Sequence, residues 1–192
     1  MLPAPADLER ICKGIAALDA MLCADWELRH YAFNASWDET GTERMASMQN
    51  GSGDEWFLVL GSSGAFLKAF WHEHPRADRD AVYAGLPAPL RAHLTEAAFA
   101  MDDVTFGGFH DGTSWTLRGD EGPMAEDLAI LSGSAEAYRA YAEGHFEVEL
   151  PLDGIEHVLA GKPLDAALLY RLGSERTMRD LETDLAEIAY GI

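Results

Sequence analysis

Trp56-Phe57-Leu58-Val59-Leu60 is followed by Gly61-Ser62-Ser63-Gly64 and then by a second apolar run from Ala65 to Trp71. Five large apolar residues in a row leave the first run without a polar face, which is typical of a strand covered on both sides. A short Gly/Ser connection between two such runs predicts a hairpin. We therefore expect this hairpin to form the centre of a sheet against which the rest of the chain packs.

The chain before the hairpin predicts a helix followed by shorter strands. We expect a strand over 28–33 and a short strand or turn over 44–48. We expect Asp7 to be the N-cap of the helix, because its carboxylate can accept hydrogen bonds from the free amides of the first turn. The helix is predicted over 7–23 from apolar residues at three- and four-residue steps: Leu8, Ile11, Ile15, Leu18 and Leu22.

The chain after the hairpin changes from strand to helix patterns. A second hairpin is expected over 104–118 around the turn dipeptide Asp111-Gly112. The pattern over 126–131 suits either a strand or a helix. Strands followed by helices predict an α+β fold with an antiparallel sheet, an N-terminal helix and a helical C-terminal third, in a single domain over 1–192. That last third is predicted to hold helices over 135–143, 153–160, 164–172 and from Thr177, with a short strand over 146–150.

Composition places the chain among folded proteins of reducing compartments. Its 192 residues are 48% hydrophobic, with two cysteines, Cys12 and Cys23. Both cysteines fall in the predicted first helix, about 16 Å apart at 1.5 Å per residue, which is too far for a disulfide. The N-terminus lacks a secretory pattern, and no apolar run approaches the length of a membrane span. We therefore expect a cytoplasmic protein that does not enter a membrane.

The net charge of −19 is the strongest compositional feature. Residues 97–192 contribute 19 acidic and 6 basic residues, and Arg139 is the one Lys or Arg between Gly119 and Gly161. A field of this sign repels nucleic acid and anionic lipid, and it attracts basic proteins. The simpler alternative is a surface that only keeps the protein in solution.

The acidic segment supplies the predicted partner-binding residues. Rim carboxylates speed the encounter with a basic protein, whereas tight binding depends on buried aromatic anchors. Trp115, Tyr138 and Tyr141 are the candidate anchors. The acidic residues expected to face the partner are Asp120, Glu121, Glu126, Asp127, Glu147 and Glu149.

His72-Glu73-His74 is the best candidate for metal chemistry. Residues two apart in a strand share a face, so both histidines could reach one metal. Asp78 follows at a spacing similar to half of a cupin metal motif, but that motif has glutamate there, and no second motif follows. A small metal-dependent enzyme or ligand-binding protein using His72 and His74 is therefore the alternative. We expect His72 and His74 to form no metal site. The sequence also lacks the nucleophile elbow of hydrolases, a phosphate-binding loop and a dinucleotide-binding motif, so we predict no catalytic residue and no cofactor.

Five stretches carry a resemblance to known proteins: Trp26–Asn34 with Trp37, Met45–Asp54, Leu86–Phe99, Lys162–Leu164 and the last helix near Tyr190. Together they resemble a family of uncharacterised small acidic bacterial proteins. The resemblance assigns no catalytic residue, but it implies a structural or recognition role for the loop over 45–54. The family's small acidic character is in turn similar to that of immunity proteins of bacterial toxin systems. We therefore expect an acidic protein-binding domain, in its most specific form an immunity protein that neutralises a basic toxin.

Overall fold

The computed structural model describes residues 2–38 and 40–191. None of the helices in these ranges combines the length and the apolar character needed to cross a bilayer. The strands are β1 (Tyr31–Asn34), β2 (Arg44–Gln49), β3 (Glu55–Gly61), β4 (Gly64–Phe70), β5 (Phe106–His110) and β6 (Trp115–Gly119). The helices are α1 (Pro5–Leu22), α2 (Arg79–Val82), α3 (Ala125–Leu131), α4 (Ala135–Phe146), α5 (Leu152–Leu159), α6 (Ala166–Arg171) and α7 (Glu182–Ile188).

The six strands form one antiparallel sheet in chain order, from β1 at one edge to β6 at the other. With the N-terminal helix and the helical C-terminal part, this sheet confirms the predicted α+β fold. The predicted extent of a single domain over 1–192 stays a prediction.

The central hairpin is β3 with β4, as predicted. Leu58 lies opposite Leu67, and Gly61 pairs with Gly64, so the turn proper is Ser62-Ser63. Gly64 has a φ of 126°, and a Cβ at this position would lie 2.1 Å from the carbonyl oxygen of His110. Only glycine fits here, because a side chain would collide with the backbone of β5.

Both faces of the sheet are covered, as the unbroken apolar run predicts. Trp56, Leu58 and Leu60 pack into the core formed with the helices. Phe57 and Val59 face the opposite side, where the irregular segment 75–104 covers the sheet. All five side chains are between 0 and 6% exposed, which confirms the prediction that the whole run is buried.

Helix α1 is the main element of the helical layer. It begins at Pro5 and not at Asp7, since proline at the first helical position needs no N–H partner. Asp7 instead pairs with Arg10 within the first turn. A Cβ at Gly14 would lie 3.0 Å from Leu159 Cα, so α1 and α5 approach closely at this point.

The predicted strand over 28–33 is displaced towards the C-terminus. The Asp25 side chain accepts a hydrogen bond from Glu27 N and caps a 3-10 turn over Trp26–Leu28. Strand β1 therefore starts only at Tyr31. The ambiguous segment 126–131 is helical, within α3.

One prediction in the last third is wrong, and two helices start at other residues than predicted. The strand over 146–150 does not form, because α4 continues to Phe146 and ends at Glu147 in the left-handed conformation, with φ of 56°. The helix predicted over 153–160 forms as α5, which starts one residue earlier at Leu152, after Pro151, and makes no side-chain cap. The helix predicted from Thr177 starts only at Glu182. Thr177 N donates a hydrogen bond to Asp180 in the turns that precede this helix, α7.

Candidate functional site

Two clefts lie beside the edge strand β1. The first, which we call the edge cleft, has a volume of about 720 Å³. The second, the aromatic cleft, has a volume of about 710 Å³. Their linings share His30, Tyr31 and Asp54, so the start of β1 and the turn after β2 lie between them.

The edge cleft is acidic. Carboxylates from the 3-10 turn, the β2–β3 turn and α7 line it together with one arginine, Arg29. The Arg29 guanidinium donates to Asp184 over 2.7 Å, and Arg176 donates to the same carboxylate over 2.6 Å. The positive charge of Arg29 is therefore already paired with the carboxylate of Asp184. The five carboxylates of the lining are Glu27, Asp54, Glu55, Asp184 and Glu187.

Glu55, one of these five carboxylates, forms an ion pair within the sheet. It accepts a hydrogen bond of 2.6 Å from Lys68 on the neighbouring strand β4, whose side chain is fully buried. The Lys68 ammonium also lies 5.6 Å from the centre of the Phe57 ring and 5.5 Å from that of Phe70. Glu27 and Glu187, in contrast, form no ion pair with any residue that the structure describes.

The capped 3-10 turn exposes two large apolar side chains, one of which lines the edge cleft. Trp26, which is part of the lining, is 72% exposed and Leu28 is 60% exposed. One other large apolar side chain in the described ranges is equally open, Tyr170 on α6 at 86%. Exposed aromatic residues beside a concave surface are typical of protein interfaces.

The turn between β2 and β3 is held by its own side chains. Asn50 Oδ1 accepts hydrogen bonds from Ser52 N and Asp54 N, over 2.9 and 3.2 Å. Gly51 and Gly53 adopt positive φ angles of 73° and 106°, which this conformation requires. Asp54 also accepts from Asn50 Nδ2 and His72 N, and these bonds lower its pKa although partial burial raises it.

Asp19 on α1 is a buried carboxylate that joins three elements. It accepts hydrogen bonds from Tyr31 N over 3.0 Å, Tyr138 Oη over 2.7 Å and Tyr141 Oη over 3.1 Å. Complete burial raises the pKa of Asp19 to about 6, against the lowering effect of these donors. The network fixes β1 between α1 and α4.

Asp127 on α3 is the second buried carboxylate, 8% exposed and part of the aromatic cleft. Its Oδ1 accepts from Tyr31 Oη and from Trp56 Nε1, both over 2.9 Å. Burial raises the pKa of Asp127, and the neighbouring charges of Glu126 and Asp54 raise it further. Its Oδ2 accepts no hydrogen bond from the residues in the described ranges.

His30 lines both clefts, and its ring contacts that of His145 at a tilt of 38°, with ring centroids 3.9 Å apart. His145 Nε2 lies 2.9 Å from the carbonyl oxygen of Leu28, and its ring stacks on Tyr141. Burial lowers the pKa of His30 to about 4, and the charge of His145 acts in the same direction. His30 therefore adds no positive charge to either cleft at neutral pH.

The structure separates the predicted partner-binding residues. Glu126 lines the aromatic cleft and is exposed, but Asp127 is buried and cannot act as a rim charge. Trp115 is half-buried and donates from Nε1 to Pro3 O, and Tyr138 is fully buried, so neither presents a free ring to a partner. Four predicted residues are exposed outside both clefts: Asp120, Glu121, Glu147 and Glu149.

His72 and His74 do not share a strand face. Strand β4 ends at Phe70, and both histidines lie exposed in the turn that follows. His72 Nδ1 lies 2.8 Å from Asp54 Oδ1. No group of three or more His, Cys, Asp or Glu side chains in the described part of the chain is arranged to hold a metal ion.

Sequence reasoning missed Asp19, His30 and Trp26. Asp19 follows Ile15 by four residues and therefore lies on the apolar side of α1, and a charged residue on an apolar stripe is the signal that could have identified it. Asp127 has the same signal, because it precedes the buried Ile130 and Leu131 by three and four residues. The exposure of Trp26 has no equivalent signal.

Comparison of the chain with protein-family models, curated proteins and solved structures finds no match. The resemblance to a family of small acidic bacterial proteins therefore stays a prediction. Two of its stretches, Trp26–Asn34 and Met45–Asp54, supply most of the lining of the edge cleft.

Proposed function

We propose that this protein is an acidic binding module that docks a basic protein on the face formed by the edge cleft and the aromatic cleft. One observation carries the proposal: the exposed Trp26 stands at the rim of a cleft lined by five carboxylates and one already paired arginine. An aromatic anchor supplies contact area, and the carboxylates select a partner of opposite charge.

The exposed acids elsewhere on the chain support the same partner class. Asp120, Glu121, Glu147 and Glu149 lie outside the clefts and add to the net charge of −19. Charges outside a binding cleft act mainly on the rate at which two proteins meet, and salt screens their effect. Their role in the proposal is to steer the basic protein, not to hold it.

The narrower form of the proposal is a cytoplasmic immunity protein that neutralises a basic toxin. Such a protein acts by covering a positively charged surface, and an acidic concave face with an aromatic anchor suits that task. For this form we expect the captured partner to lose its toxic activity in the complex.

Affinity capture from the native host tests the proposal. The baits are the wild-type protein, Trp26→Ala, and Tyr170→Ala as the matched control, since Tyr170 is equally exposed and lies outside both clefts. We expect a basic protein that the wild type and Tyr170→Ala retain, that Trp26→Ala loses and that salt elutes. Capture of acidic or neutral proteins alone, of no protein, or equal retention by all three baits would contradict the proposal.

A further inference from the structure

The aromatic cleft has the lining of a site for an organic cation. His30, Tyr31, Trp71 and Tyr141 contribute rings to it, and Asp54, Glu126 and Asp127 contribute carboxylates. No Lys or Arg of residues 2–38 and 40–191 takes part in the lining. Aromatic faces attract cations, and this attraction grows when the site excludes water.

Asp127 supplies a specific acceptor in this cleft. Both of its hydrogen bonds, from Tyr31 and Trp56, end on Oδ1. Oδ2 has no donor among the described residues, yet it is not one of the fully enclosed side-chain atoms that lack a partner. The free oxygen of a carboxylate that is 8% exposed therefore opens towards the cleft that it lines.

The position of Asp127 is fixed by its two donors. Tyr31 belongs to β1 and Trp56 to β3, so both donors come from the sheet and hold a carboxylate carried by α3. A preorganised buried carboxylate with one free oxygen favours a ligand that brings both a positive charge and an N–H donor.

We propose that the aromatic cleft binds one arginine or lysine side chain of the basic partner, whose N–H group donates to Asp127 Oδ2 between the aromatic rings. This inference rests on the proposed function for the identity of the ligand. Glu126 and Asp54 stand at the same cleft and add to the negative potential. A guanidinium group fits this combination of rings and carboxylates better than a quaternary ammonium, which has no N–H to donate.

Titration with amino-acid amides tests the site without the partner. The probes are Nα-acetyl-arginine N-methylamide, its lysine analogue, and the citrulline analogue, which keeps the shape of arginine but is neutral. The readout is the indole N–H signal of Trp71 in a nitrogen–proton NMR spectrum at pH 7.5, with the indole of Trp115, which lines neither cleft, as an internal reference. We expect a saturable shift of the Trp71 signal with the arginine or lysine probe and none with citrulline.

Three variants locate the cation. Glu126→Gln is expected to weaken binding about threefold, because Glu126 is an exposed charge. Asp127→Asn is expected to weaken it about tenfold or more, because Asp127 provides the charged acceptor. Glu156→Gln removes an equal exposed charge outside the cleft and should leave binding unchanged. Glu126→Gln keeps the test decisive if Asp127→Asn disturbs the fold.

Equal shifts with the arginine and citrulline probes, a linear response without saturation, or equal binding by wild type and Glu126→Gln would overturn the cation site. The two proposals fail separately. If a basic protein is captured through Trp26 but the charged probes do not bind, only the cation site is wrong. If the probes bind but capture does not depend on Trp26, only the docking proposal is wrong.

Discussion

The hydroxyl of Tyr31 donates a hydrogen bond of 2.9 Å to the buried carboxylate of Asp127. The backbone N–H of the same Tyr31 donates to Asp19 over 3.0 Å. One residue of the edge strand thus ties together two buried carboxylates from α1 and α3. The shape of both clefts depends on this residue, because Tyr31 lines each of them.

Tyr31→Phe should lower the free energy of unfolding by about 1.5–3 kcal/mol, because a buried carboxylate loses one of its two donors. The measurement is urea unfolding at pH 7.5. Tyr170→Phe removes the hydroxyl of an exposed tyrosine and is the control, with an expected change within about 0.5 kcal/mol. A Tyr31→Phe protein as stable as the control would show that the hydrogen bond to Asp127 does not stabilise the fold.

Asp19 and His30 should act in opposite directions on stability between pH 4 and 6. The folded-state pKa of Asp19, about 6, is above its ordinary 3.8, so the folded protein binds the proton more tightly and Asp19 lowers stability as the pH rises. The folded-state pKa of His30, about 4, is below its ordinary 6.5, so His30 raises stability over the same interval. Asp127 acts in the same direction as Asp19.

Single variants separate these opposing effects. Relative to the wild type, Asp19→Asn should gain roughly 2 kcal/mol of unfolding free energy between pH 4 and pH 6, because most of the linkage from the Asp19 pKa shift falls in this interval. His30→Gln should change in the opposite direction. The measurement is denaturant unfolding at a series of pH values. Profiles of Asp19→Asn and wild type that run parallel over this interval would show that the Asp19 carboxyl does not titrate there.

Leu58→Ala should lower the free energy of unfolding by about 2–5 kcal/mol, because Leu58 is fully buried in the central strand and its truncation leaves a cavity. Leu28→Ala removes the same atoms from a side chain that is 60% exposed and should change stability by less than about 0.5 kcal/mol. Similar losses in both variants would contradict the central position of β3.

His72 and His74 are expected to bind no metal stoichiometrically, since both lie in an exposed turn and His72 already contacts Asp54. Elemental analysis of protein purified without an affinity-tag metal is the measurement. Zinc, iron or manganese present at one equivalent and lost in His72→Ala would favour the alternative, a metal-dependent enzyme.

The central sheet could be predicted because one local property of the sequence determines it. The unbroken run from Trp56 to Leu60 has no polar face, and a Gly/Ser turn follows, so both burial and pairing with β4 are determined locally. The cover of the second face could not be predicted in the same detail. Segment 75–104 has only a four-residue helix and 3-10 turns, which have no long apolar period.

The clefts could not be predicted from the sequence, for a different reason. They form where β1, the turn at Asn50–Asp54 and helices α3, α4 and α7 meet, and such meetings depend on tertiary packing. The run of acidic residues along the chain predicts that Asp127 and Glu126 lie on one acidic surface. The helical spacing of Met124, Asp127 and Ile130 instead turns Asp127 inwards while Glu126 stays exposed.

Photo-crosslinking tests the docking face most directly. A photoreactive phenylalanine analogue replaces Trp26 in one protein and Tyr170 in a second, and each is irradiated in native-host lysate at low salt. The account predicts a crosslinked adduct to one basic protein from position 26, absent from position 170 and weakened by salt. Adducts of equal yield from both positions, or an adduct at position 26 only to acidic proteins, would contradict it.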